Sequence, residues 1–178
     1  MERKKLITVV AFILLLSLSF LFIINFDYFR SQSSHYISTY GLAGIMVIVF
    51  IMDVIIQPFS PDVVVFGSSI LSKNLLSIAL VAGAASVMAG AVGHLIGKKI
   101  GTAGFVYLFG DKHVQKGERL FRRWGPLAII FGALSPVPFS GICWLSGIYR
   151  MNLWIVILFS IITRIPRFIV FAYLGSLL

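Results

Sequence analysis

Apolar residues run along this chain in stretches too long for a soluble core, each closed by a basic residue or broken by proline. Residues 6–24 form an unbroken apolar run behind Arg3, Lys4 and Lys5. At 1.5 Å per residue the run covers about 28 Å, close to the hydrocarbon thickness of a bilayer. No small-residue cleavage site follows near Asn25, so the pattern predicts an uncleaved first span with its N-terminus in the cytoplasm. Residues 25–40 read as a polar connector. From 41 to 71 the chain is apolar again, but Asp53, Gln57, Pro58, Pro61 and Asp62 interrupt it. Residues 63–71 are too few to cross a membrane, and Pro58 and Pro61 should break any helix between the two parts. Broken backbone at membrane depth survives only where protein or water covers it, which predicts a re-entrant hairpin with its tip near 57–62.

A second full span is expected over 75–97, where Gly83, Ala84, Gly90 and Gly93 offer close helix packing, and Lys98 and Lys99 end it. Residues 111–124 place Val114, Gly117, Phe121 and Trp124 on one helical face amid Lys116, Arg119, Arg122 and Arg123. That pattern predicts an amphipathic helix lying in the membrane interface. Residues 126–147 form a second interrupted stretch around Pro136 and Pro138, and 151–178 a last apolar segment holding Arg164, Pro166 and Arg167. Counting from Asn152 puts Arg164 near the bilayer midplane.

The two interrupted stretches echo each other. Each carries P-F-S (Pro58–Ser60 and Pro138–Ser140), then a glycine nine positions after its proline, Gly67 and Gly147. With one full span between them, two re-entrant hairpins enter from opposite faces, which is an inverted repeat of the kind recurrent in transporters. The expected fold is therefore all-α and integral to the membrane. It has about three full transmembrane helices, two re-entrant hairpins with tips at Pro58, Pro61, Pro136 and Pro138, and one interfacial helix. Residues 1–40 form a first helix and connector, and 41–178 the membrane domain.

Composition fits this picture: 59% of residues are hydrophobic and 12% charged, with a mean hydropathy of +1.01. A soluble domain carries about twice that share of charge. Cys143 is the lone cysteine and His35, His94 and His113 are scattered, so neither a disulfide nor a metal site is expected, and no cofactor. The net charge of +9 sits at the edges of apolar runs. This placement points to anionic lipid head groups and topology, not to nucleic acid.

Asp53, Asp62, Arg164 and Arg167 lie within apolar sequence. Each such charge costs about 2.5–3.5 kcal/mol at a helix centre when unpaired, so the four must pair or face water. One reading is a buried Asp–Arg brace. The other is a transport site, in which the arginines hold an anionic head group and an aspartate titrates.

At these residues the chain resembles the DedA superfamily of membrane proteins, which carry the VTT or SNARE-associated domain. Asp53 stands for the family's first acid, and Pro61-Asp62 for the end of its Pro-rich loop. The run Gly90 to Gly101, G-A-V-G-H-L-I-G-K-K-I-G, is similar to the family's glycine pattern G-D-x-x-G-Y-x-I-G-R-x-x-G. The family's second hairpin reads R-F-x-P-x-x-R, and here Ala133 and Phe139 replace the two arginines. The P-x-P form and the Arg-x-x-Arg pair at 164 and 167 are closer to the YqaA-like branch. The resemblance implies flipping or scrambling of a phosphate-bearing lipid, a polyprenyl phosphate or a phospholipid, with protons as a coupling ion. Alternatives are a proton- or cation-coupled exchanger of a small solute and a membrane-embedded lipid-modifying enzyme. An enzyme is disfavoured, because phosphate chemistry wants clustered acids for metal ions or a His nucleophile beside Arg. The expected location is the cell membrane, with lipids as partners and a homo-oligomer left open.

Overall fold

The structure, a computed structural model, describes residues 26–56, 60–71, 74–134 and 138–177. The expected first span over 6–24 lies outside them, as do Pro58 and Pro136. Among the described residues every regular element is helical. In chain order these are α1 Phe26–Val54, α2 Asp62–Leu71, α3 Leu75–Phe109, α4 Asp111–Trp124, α5 Leu127–Leu134, α6 Phe139–Ile148 and α7 Leu153–Ser176. Two stretches, Leu75–Tyr107 within α3 and Leu153–Ser176, are long and apolar enough to cross a membrane.

Two expected boundaries move. The polar connector is helical, because α1 begins at Phe26 and only kinks at Gly41, whose φ of 52° suits glycine alone. Lys98 and Lys99 do not end α3. Lysine is a good helix former, and the helix runs on to Phe109, bending at Gly101 with φ 66°. The helix breaks fall where the prolines predict. Pro61 gives its carbonyl to the amides of Val64 and Val65 and so opens α2, and Pro138 caps the N-terminus of α6. A helix start has spare amides, so proline's missing N–H costs nothing there. Pro61 and Pro138 thus each begin a helix, as Pro126 does before α5, whereas Pro166 lies inside α7.

α3 packs on α1, α6 and α7, while α7 also carries α2 and α5. The buried apolar residues fall into two clusters. One joins Ile45, Val65, Ala82 and Phe168. The other joins Phe105, Ala133, Phe139 and Val156. The distribution is inverted relative to a soluble protein: Ser86, Ser146 and Ser160 are fully buried, while Leu76, Leu80, Leu158 and Ile162 point outward. An outward Leu and Ile surface over fully buried serines suits lipid as the solvent.

Two crossings set how the helices meet. A side chain at Gly97 of α3 would overlap the Trp144 carbonyl of α6, and one at Gly175 of α7 would overlap the Phe66 carbonyl of α2. Trp144 follows Phe66 by 78 residues and Gly175 follows Gly97 by the same 78, which is also the separation of the bonded pair Ser86 and Arg164. The P-F-S echo sits two residues out of this register. Accordingly Gly67 and Gly147 are not equivalent: a Cβ at Gly67 meets nothing, whereas one at Gly147 would overlap the His94 carbonyl.

Candidate functional site

The last turn of α1 carries Asp53, the middle of α3 carries Ser86, and Arg164 lies halfway along α7. Ser86 donates its hydroxyl to Asp53 Oδ2 at 2.5 Å and accepts from Arg164 Nε at 2.6 Å. Arg164 Nη2 closes the ring on the same Asp53 oxygen. All three residues are buried, at 4%, 0% and 2% exposure respectively. The Arg164 guanidinium lies 4.5 Å from the Phe139 ring and 4.9 Å from the Phe168 ring, one from each apolar cluster. Cation–π attraction adds to the ion pair here, because the guanidinium is buried. A triad closed in this way is neutral and has few polar groups left to offer a substrate.

The second pair is built differently. Asp62 opens α2, where the unpaired amides of a helix start favour a negative charge. Ser60, one residue before Pro61, donates to Asp62 Oδ2 at 2.6 Å. Arg167 meets both carboxylate oxygens, with Nε at 3.2 and 3.0 Å and Nη2 at 2.5 Å. Its remaining nitrogen, Nη1, donates to the Ala133 carbonyl of α5 at 2.5 Å. One side chain on α7 therefore ties the start of α2 to the last turn of α5, across both helix breaks. The Arg167 side chain is 24% exposed, against 2% for Arg164. The two aspartate side chains are equally buried, so the pairs differ in exposure only at the arginine.

The four charged residues singled out from sequence thus come together as two defined pairs, Asp53–Arg164 and Asp62–Arg167. Sequence reasoning missed Ser86, Ser60, the Ala133 carbonyl and the two phenylalanines. Ser86 stands in a Gly/Ala run and reads as a packing residue; a hydroxyl there is the one hint of a polar partner. His94 is a packed residue. Ser146 gives its proton to the Cys143 carbonyl at 2.6 Å, so the His94 Nδ1–H donates to Ser146 at 2.9 Å. Most of the apolar face of α4 is covered by protein: Val114, Gly117 and Phe121 are buried, Phe121 packs 5.4 Å from the Tyr149 ring, and Trp124 is exposed. Burial and the nearby Glu118 carboxylate push the Tyr149 phenol up to about 12, so it remains a donor to the Val114 carbonyl at 2.9 Å.

Long apolar helices, proline-initiated short ones and paired buried charges define the class: a helical membrane protein with polar groups gathered at its helix breaks. The pattern of the VTT domain family matches residues 58–177, and the chain belongs to that family, the DedA family of membrane proteins. It is similar to an uncharacterized protein of Methanocaldococcus jannaschii, 28% identical over 72% of this chain and 79% of that one. It is also similar to an uncharacterized protein of Haemophilus influenzae, 24% identical over 85% of this chain and 79% of that one. No solved structure gives a significant match. Within the family pattern, the two arginines expected at positions 133 and 139 are Ala133 and Phe139. Arg167 donates to the Ala133 carbonyl, and the Arg164 guanidinium lies over the Phe139 ring.

Proposed function

We propose that this protein moves a phosphate-bearing lipid, a polyprenyl phosphate or a phospholipid, between the leaflets of the cell membrane, with protons as a coupling ion. The observation that carries this reading is the Arg167 side chain between two helix breaks, 24% exposed and holding a carboxylate through Nε and Nη2. Phosphate accepts the same fork. We read the broken pairs α1–α2 and α5–α6 as re-entrant hairpins of an inverted repeat. The reciprocal glycine crossings support this, since a two-fold relation makes each half dock on the other at one constant separation. A multi-pass arrangement is supported by α7, where the exposed Trp154 and Tyr173 lie about 28 Å apart along the helix, the spacing of two aromatic belts.

The test is reconstitution of the full chain in liposomes with a labelled polyprenyl phosphate or phospholipid in one leaflet. The wild type should speed exchange at least tenfold over protein-free vesicles. Arg167→Lys keeps the charge but loses the fork, and should lower the rate more than it lowers the melting temperature. Lipid exchange at the protein-free rate, together with a pH-dye response to an added solute gradient, would replace this reading with a proton- or cation-coupled solute exchanger.

A further inference from the structure

The two ion pairs differ in whether they can be opened, and this assigns them separate work. Opening Asp53–Arg164 would leave two buried charges held, among the described residues, by Ser86 and two rings. Breaking a buried pair in that way destabilises strongly. Opening Asp62–Arg167 is easier, because the Arg167 side chain is partly exposed and Asp62 sits at a helix start whose amides favour its charge. Asp62 retains the Ser60 hydroxyl and the α2 start, and Arg167 retains the Ala133 carbonyl. The Arg167 side chain is also the more exposed of the two arginines.

We propose that Arg167 is an anion-binding residue for a phosphate monoester, and that Asp62 is the carboxylate occupying its place when no substrate is bound. The carboxylate is already held as the ligand would be: two oxygens on the Nε–Nη2 edge of the guanidinium. A phosphate offers the same two oxygens and one more charge. Binding then proceeds by exchange. The anion takes the Nε–Nη2 edge, Asp62 swings onto Ser60 and the helix start, and the tie between α2 and α5 through Arg167 is released on the α2 side. Arg164, with Asp53 and Ser86, stays closed and positions α7 throughout. The inference rests on the phosphate-lipid reading for its ligand, and the phosphate could be a lipid head group or a free ion.

The experiment is titration of the purified full chain, in an uncharged detergent, with inorganic phosphate and separately with dihexanoyl phosphatidic acid. Asp62→Asn removes the competing charge and should tighten Kd for the bound anion about tenfold, equivalent to about 1.4 kcal/mol. Ser60→Ala leaves the released carboxylate less well held, so it should weaken binding several-fold, the opposite sign. Arg167→Gln should weaken it at least tenfold. A Kd that is unchanged or weaker in Asp62→Asn, or tighter in Ser60→Ala, overturns the proposal. So does an equal tightening in Asp53→Asn, which would erase the division between the pairs. Should Asp62→Asn not fold, the sign of the Ser60→Ala shift decides alone. Response to phosphatidic acid but not to inorganic phosphate identifies a lipid ligand, and response to both identifies the phosphate group as sufficient. The liposome assay separates the two ideas: exchange without the Asp62→Asn shift keeps the transport reading and ends this one, and the shift without exchange does the reverse.

Discussion

Arg164 and Arg167 are three residues apart on one helix, yet their neighbours give them opposite freedoms. That the four intramembrane charges must find partners was legible in the sequence, because an unpaired charge in lipid is too costly to persist. Which acid met which arginine was not legible, since both arginines lie on one face of α7 and spacing alone allows either match. Ser86 was hidden for a different reason: it supplies one hydroxyl from a helix whose composition speaks only of close packing. The Asp53–Arg164 pair can be tested directly. Arg164→Leu leaves Asp53 uncompensated and should cost about 3–5 kcal/mol, read as a lower melting temperature in detergent. Adding Phe139→Arg supplies a cation from the ring position that packs on the Arg164 guanidinium and should recover part of that loss. A double variant no more stable than Arg164→Leu would mean that the place of the charge is not shared.

Among the elements, the breaks were the most legible feature and the helix lengths the least. Pro61 and Pro138 open new helices where the broken stretches were expected, while Pro166 is carried inside α7. Lys98 and Lys99 misled, because charge near a membrane surface marks a change of solvent and not the end of hydrogen bonding. The repeated glycines misled in a subtler way. Gly67 and Gly147 share a spacing from P-F-S, but only Gly147 touches another backbone, at His94. Gly147→Ala should therefore destabilise by about 1–3 kcal/mol through overpacking at the α3–α6 crossing. Gly67→Ala has free space and gains up to about 1 kcal/mol of helix propensity. Thermal melts of the two variants should move in opposite directions, and equal losses would show that both glycines sit at crossings.

At the scale of the whole molecule the halves are interlocked. The short helix α2 lies against α7, and α6 lies against α3, each crossing made by a glycine under a carbonyl. The P-F-S echo pairs residues 80 apart, whereas the two glycine crossings pair residues 78 apart. Division of the chain at Gly110, between α3 and α4, should give two fragments that each aggregate alone and co-purify when made together. Fragments that fold independently would show that the crossings are not needed. The same interlocking bears on how the chain is made. Asp53 precedes its arginine by 111 residues and Asp62 by 105. At roughly 5–20 residues per second of synthesis, both acids enter the membrane and wait on the order of 5–20 s without their counter-charges. Through that interval the nascent protein must shelter two carboxyl groups, by protonation or at the insertion machinery, and it becomes a settled resident of the bilayer only as α7 arrives.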